Sequence, residues 1–336
     1  MKALFTSDIH LSPRPRDEYR WRIFDWLRVQ ALSREVRSIF LLGDLTDQKD
    51  RHTNEFINRI VDALAKLASE IDGTVDLLVG NHDYTEPSAP LLRFLNSDPV
   101  RVYFKPELIE REGERIWMLP HSRAPIVGWR DLDLKRGRFA LCHQTFDGAL
   151  VENGEVLKVG LHPGDLSGRL ARNVELISGD VHVPQTLGSL VYCGSPHPIR
   201  FGDRFQPRVL YYDGNELLSI KRVAIRKVIA EVERVEDLAA YELDEEDQAK
   251  VVFALPRSRF GEWDEIRRAV EELAQEGGWL LVGVELVELD AMADKKLKEA
   301  APVERLKPVE LFERFCEANA IEKPAAELGR RLVAGT

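Results

Sequence analysis

Asp, Asn and His recur in five short blocks of the chain: Asp8-Ile9-His10, Gly43-Asp44-Leu45-Thr46-Asp47, Gly80-Asn81-His82-Asp83, a lone His143, and Gly179-Asp180-Val181-His182. Carboxylate and amide oxygens combined with imidazole nitrogens suit hard or borderline divalent cations such as manganese and magnesium. Each block closes an apolar run that reads as a buried strand, so several strand ends would deliver ligands to one place. A two-metal phosphoesterase needs this arrangement, because two cations held about 3.5–4 Å apart stabilise both the attacking and the leaving oxygen. Asp8 and His10 lie two residues apart at a strand end and therefore share a face. Asp44 follows a glycine after an apolar run, which brings a carboxylate out into a cleft where it can bridge two cations. Asn81 offers a neutral oxygen, and Asp83 is placed to accept the hydrogen bond that sets the tautomer of His82. Taken singly, Asp-x-His reads as a polar strand end, Gly-Asp-x-x-Asp as a turn and His143 as a core histidine. Their joint occurrence at apolar strand ends is what points to metal chemistry.

The elements that must position these residues are legible as alternating patterns. Residues 2–7 and 38–42 are apolar runs entering the first two blocks, and 17–36 has the apolar spacing of an amphipathic helix. Thr53 opens a helix to about Ile71, and Val75 to Val79 form a strand closed by the third block. Strands alternating with helices, with the motifs at strand C-termini, predict an α/β fold whose site lies beyond the carboxyl ends of the sheet. From about residue 100 the texture turns β-rich, with short runs at 100–104, 115–119, 138–142, 174–178, 189–193 and 208–212. The expected whole is a β-sandwich flanked by helices over 1–215, with a boundary at the turn Asp213-Gly214-Asn215. A small α+β unit over 216–290 follows, with strands at 217–232, 250–255 and 278–288 and a helix at 261–277. The remainder, 291–336, reads as a helical, charged tail whose Leu311, Phe312 and Phe315 share one face.

Composition sets outer limits. Hydrophobic content of 44% and charged content of 31% are those of a globular protein, and no apolar run is long enough to span a membrane. The start lacks signal-peptide shape and the three cysteines show no CxxC spacing, which predicts a cytoplasmic protein with buried thiols. A net charge of −10 does not advertise nucleic-acid binding, yet Arg14, Arg16, Arg20, Arg22, Arg51, Arg200, Arg204 and Arg208 fall near the blocks. Singly they read as solvated surface; as a group beside a phosphate-handling site they are candidates for phosphate contacts.

In type and order the five blocks resemble the calcineurin-like metallophosphoesterase superfamily, whose pattern is D-x-H, GD-x-x-D, GNH-D/E, H and GH-x-H. Within it the chain is similar to the SbcD-type DNA double-strand-break repair nucleases. That closer likeness rests on Val191-Tyr192-Cys193-Gly194-Ser195-Pro196 after the last block, on the small α+β unit in the place of a capping domain, and on Pro308-Val309-Glu310-Leu311-Phe312 near the end.

The resemblance implies that Asp8, His10, Asp44 and His182 hold one cation. Asp44, Asn81 and His143 would hold the other, with Asp180 where the family has histidine. It implies two Mn2+ (or Mg2+ or another divalent ion), attack by a two-metal-activated hydroxide, His82 as general acid and Asp83 orienting it. Arg14, Arg16, Arg51, His52, Ser195 and Arg200 are candidate substrate contacts. The implied partners are DNA ends, an SMC-like coiled-coil ATPase of the SbcC type docked through the tail, and a second copy of the chain through Trp21, Phe24 and Trp26. Packing of the tail on its own chain, and of those aromatics in the core, is the competing reading. Two readings of Asp180 stay open: a working ligand with shifted metal preference, or a carboxylate turned to solvent beside a damaged second site. Two functions besides the nuclease stay open as well, a phosphoesterase for small nucleotides or phosphoproteins and a DNA-end-binding scaffold.

Overall fold

In the computed structural model, which describes residues 1–167, 169–170 and 174–289, the first elements alternate as the sequence predicts. They are β1 (Ala3–Thr6), α1 (Arg22–Arg34), β2 (Ser38–Leu42), α2 (Asn54–Glu70) and β3 (Thr74–Leu78). Ten further strands complete two sheets: β4 (Asn96–Ser97), β5 (Val100–Tyr103), β6 (Glu107–Arg111), β7 (Glu114–Leu119), β8 (Phe139–His143), β9 (Glu175–Gly179), β10 (Gln185–Leu187), β11 (Leu190–Tyr192), β12 (Arg208–Tyr212) and β13 (Leu217–Lys221). One sheet runs β13-β12-β1-β2-β3-β5-β4 and the other β10-β11-β9-β8-β7-β6. Strands β1, β2, β3 and β5 are parallel, as are β7, β8, β9 and β11. The strand ends that carry the ligand blocks therefore leave each sheet on the same side.

Side-chain alternation divides each strand between two cores. Phe5, Phe40, Leu78, Met118, Leu141 and Ile177 meet between the sheets, with Phe5 stacked on Phe40 at 5.2 Å. Leu4, Ile39, Leu41 and Leu77 point outward and are covered by α1 and α2 through Ile23, Leu27, Ile60 and Leu64. Thr53 caps α2, its hydroxyl accepting from the Phe56 amide at 3.3 Å. The result is the sandwich flanked by helices that the sequence leads one to expect.

Several expectations change. The segment before α1 is a 3-10 turn, Pro15–Trp21, rather than α-helix, since Pro15 fixes φ and supplies no amide. Strand β5 joins the first sheet despite following the change in texture, and the half-charged β6 (Glu107–Arg111) pairs with β7 unforeseen. The turn at Asp213–Asn215 is no boundary: it links β12 to β13 inside the first sheet. The long strand expected over 217–232 is accordingly two strands, and the break falls between β13 and β14 (Lys227–Val232).

From there β14, β15 (Gln248–Leu255) and β16 (Leu280–Glu288) form a separate all-parallel sheet, with the helix Trp263–Gly277 crossing between the last two. Its own core includes Ala230, Val251, Phe253, Val270 and Trp279. The expected tail, with Leu311, Phe312, Phe315 and Cys316, lies outside the described residues. Among the described residues no helix is long and apolar enough to cross a membrane. Trp21 and Phe24, candidates for a dimer face, are buried in the core beneath α1 and α2.

Candidate metal centre

Three of the ligand blocks begin where a strand runs out and the backbone turns left-handed. Asp8 (φ +54°), His10 (φ +51°), Asp44 (φ +52°) and Asp180 (φ +81°) all occupy this region, which Asp, Asn and His tolerate better than other non-glycine residues. The turns are zipped together. The Asp8 amide donates to the Gly43 carbonyl at 3.0 Å, His10 to Asp44 at 2.9 Å and Leu11 to Leu45 at 2.8 Å. Backbone strain at four ligand positions persists because such neighbouring hydrogen bonds over-determine it.

The side chains converge in two halves around Asp44. In the first, His10 Nε2 and His182 Nε2 stand 3.2 Å apart, and His10 Nε2 lies 3.7 Å from Asp44 Oδ2. Ligand atoms of Asp8, His10 and His182 fall within 4.8 Å of one another, as do those of Asp8, Asp44 and His143. One buried oxygen of Asp8 has no hydrogen-bond partner among the described residues. In the second half, His143 Nε2 is 3.3 Å from Asp44 Oδ1 and 3.6 Å from Asp180 Oδ1. The oxygen of the Asn81 amide stands 3.0 Å from His143 Nε2 and from both Asp44 oxygens. Carboxylate oxygens, an amide and imidazole nitrogens gathered this closely are a donor set that fits a cation, which can satisfy several of them at once.

Electrostatics agree with that fit. Burial opposes ionisation of Asp44, but His143, His10 and His82 outweigh it and hold the carboxyl well below the usual range. Burial likewise opposes protonation of His143, yet Asp44, Asp8 and Asp180 raise its pKa well above that of a free histidine. A cation would take the place of that proton. Burial pushes Asp8 up to about 6, the expense of a desolvated carboxylate that lacks a full counter-charge.

Asp180 faces inward. Its carboxylate accepts from Thr145 Oγ1 and approaches His143, and its amide donates to Asp8 Oδ1 at 3.2 Å. The carboxylate is thus placed with the second half of the site rather than in solvent.

Other positions depart from expectation. The His82 ring is held by the Asp47 carbonyl, 2.8 Å from Nδ1, and its amide donates to Asp44 Oδ1 at 2.8 Å. Asp83 does not orient it. The Asp83 carboxylate instead accepts from the amides of Gly80 (2.8 Å) and Thr46 (3.2 Å), clamping two ligand loops together, and burial with Asp44 nearby pushes it up to about 6. Ser195 is wholly buried, its hydroxyl donating to the Asp8 and His197 carbonyls, so it shapes the first loop and cannot meet substrate. His197 is buried too, with Nε2 2.9 Å from the Ile9 carbonyl. Arg51 and His52 line a separate groove with Lys49, Arg93 and Phe94, and His52 stacks on Phe56.

The ligands open into a cleft of ≈ 660 Å³ whose walls include Arg14, Arg16, Arg200, Phe201 and Lys227. Arg20 also lines it but is tied down by Asp17 and the His10 carbonyl, while Arg208 donates to the Tyr192 carbonyl and Arg22 to Glu246. Glu152 escaped sequence reasoning. Its carboxylate contacts His182 Nδ1, and that contact holds it down to about 2. An acid in an irregular loop carries no spacing signal, although a metal-bound imidazole commonly has such a partner on its other nitrogen. Asp47 was visible in the second block without a role; its side chain lies 3.9 Å from His10 Nδ1 and 3.6 Å from Arg14.

Among curated proteins none matches the sequence. A crystal structure of a dimetal phosphatase from Danio rerio is similar over 67% of this chain and 97% of that one, at 11% identity and a TM-score of 0.42, a likeness too loose to carry inference. The family model for calcineurin-like phosphoesterases matches residues 1–184, the stretch that contains every ligand from Asp8 to His182. The chain belongs to the calcineurin-like phosphoesterase family.

Proposed function

We propose that this phosphoesterase is a nuclease that hydrolyses DNA phosphodiesters at ends, with manganese as its working cation. The observation that carries this reading is the cationic wall of the cleft, where Arg14, Arg16 and Arg200 stand around the ligand set. Polyanionic backbones are bound by such side chains, and a net charge of −10 elsewhere does not oppose a local positive field. Further support comes from the likeness of residues 191–196 to the SbcD-type turn and from the separate parallel sheet after β13.

In this reading Asp8, His10, Asp44 and His182 would hold one cation, and Asp44, Asn81, His143 and Asp180 the other. Two bound divalent cations make water nucleophilic near neutral pH and neutralise charge on the phosphoryl group. The carboxylates, the amide and the imidazoles make a donor set that suits manganese. His82, with Nδ1 committed to the Asp47 carbonyl, has Nε2 left to protonate the leaving oxygen. Arg14 and Arg200 orient the phosphate backbone by charge-assisted hydrogen bonds. An SMC-like ATPase partner and a homodimer belong to the same proposal. Unchanged ATPase capture by the truncated chain 1–290 would remove the tail as the docking segment.

Incubation with linear duplex, single-stranded DNA and a generic phosphodiester, each with and without manganese, tests the reading. Manganese-dependent cleavage of DNA supports it. Hydrolysis of the small ester alone would favour a small-substrate phosphoesterase, and tight DNA binding without any hydrolysis would favour a scaffold.

A further inference from the structure

A buried side chain of the separate sheet reaches the wall of the cleft beside the metal centre. Lys227, the first residue of β14, is 6% exposed. Its ammonium donates to the Ile199 carbonyl at 3.2 Å and lies 3.6 Å from Asp17 Oδ1, above the rings of Tyr19 and Phe201. Asp17 is 1% exposed, and neither carboxylate oxygen has a hydrogen bond of good geometry among the described residues. Its charge is balanced by Lys227 on one side and by Arg20 Nη2, at 3.2 Å, on the other. Arg20, itself buried, donates from Nη1 to the carbonyl of His10 and from Nε to the Tyr19 hydroxyl at 3.2 Å.

His10 is thereby pinned from both sides, its amide by the Asp44 carbonyl and its own carbonyl by Arg20, in a left-handed conformation that needs such restraint. We infer that Lys227 and Asp17 are positioning residues for the first cation half-site: they hold Arg20 against the His10 carbonyl and so make the geometry of a ligand depend on how the β14–β16 sheet is seated. The chain of contacts is continuous and each member is charged and buried: without Lys227 the Asp17 carboxylate is left to Arg20 alone, and without the Asp17 charge two buried cations face each other, so either change frees Arg20 to shift. Surface links between the same two bodies, such as the exposed Arg22–Glu246 pair, do not touch His10. The inference does not depend on which phosphate ester is the substrate.

The test is binding of Mn2+ alone to the full chain, followed by calorimetry, for wild type, Lys227→Met, Asp17→Asn, Lys227→Arg and Glu246→Gln. Outer partners of metal ligands typically change affinity by about 10- to 100-fold. Lys227→Met and Asp17→Asn should each weaken one class of Mn2+ site by about tenfold or more. Lys227→Arg, which keeps the charge, should recover most of that loss, and Glu246→Gln should bind as wild type does. If Lys227→Met does not fold, Asp17→Asn, isosteric with the native residue, carries the comparison. Wild-type Mn2+ affinity in Asp17→Asn or Lys227→Met, even with a lowered melting temperature, would overturn the inference. A wild-type chain that binds no Mn2+ would overturn the metal assignment itself, a separate failure.

Discussion

At the scale of single residues, the centre is organised by which nitrogen or oxygen is already committed elsewhere. His143 gives Nδ1 to the Leu42 carbonyl at 2.6 Å and keeps Nε2 for the site; His182 gives Nδ1 to Glu152; His82 gives Nδ1 to the Asp47 carbonyl. His82→Asn keeps a donor near the Asp47 carbonyl but has no counterpart of Nε2. Hydrolysis should fall by about 10²- to 10⁴-fold, the usual contribution of a general acid, with Mn2+ stoichiometry unchanged. A parallel loss of cations would show that His82 is a ligand. Glu152→Gln should weaken Mn2+ binding by about 10- to 100-fold.

The Glu152–His182 pair also sets a pH window in the cation-free protein. The folded pKa of Glu152 is lowered from 4.5, so its stabilisation is present above 4.5 and is lost as pH falls toward about 2. The folded pKa of His182 is raised from 6.5, so its stabilisation is present below 6.5 and is lost as pH rises through the higher folded value. Melting curves should show the advantage of wild type over Glu152→Gln largest between pH 4.5 and 6.5, shrinking toward acid. An advantage that grows toward acid would contradict the assignment.

At the scale of elements, the loops after β2 and β3 approach so closely that only glycine fits between them. A Cβ on Gly80 would come within 3.0 Å of the Asp44 amide nitrogen and carboxylate, whereas one on Gly261 would meet nothing within 4 Å. Gly80→Ala should therefore cost about 1–3 kcal/mol in denaturant unfolding and weaken cation binding, while Gly261→Ala should do neither. Equal behaviour of the two variants would refute the close approach as the reason for glycine. These loops were legible in the sequence because apolar runs and Asp, Asn and His blocks are local signals. The roles of Asp83, Ser195 and Glu152 were not. Asp83 bridges two loops, Ser195 folds back on Asp8, and Glu152 reaches His182 across a turn, so each depends on contacts between segments distant in the chain. The Asp213–Asn215 turn misled for a related reason: a turn signal marks a reversal of the chain, and only pairing of β13 with β12 shows that the sheet continues beyond it.

At the scale of the whole molecule, two sheets bring their strand ends to one edge, and a third sheet closes on the resulting cleft through Lys227. If the cleft holds a DNA backbone, Arg14→Ala and Arg200→Ala should each raise KM for DNA and reduce the salt slope of binding by about one, leaving KM for a small phosphodiester nearly unchanged. Equal effects on both substrates would place these side chains at the reacting phosphate instead. Everything else depends on whether the ligand set, with Asp180 in its last block, holds two cations. Equilibrium titration of the wild-type chain and of Asp180→Ala with Mn2+ decides this most directly. Two ions per chain for wild type and one for Asp180→Ala, with phosphodiester hydrolysis lost in the variant, is the predicted result; one ion per chain in both proteins would contradict it.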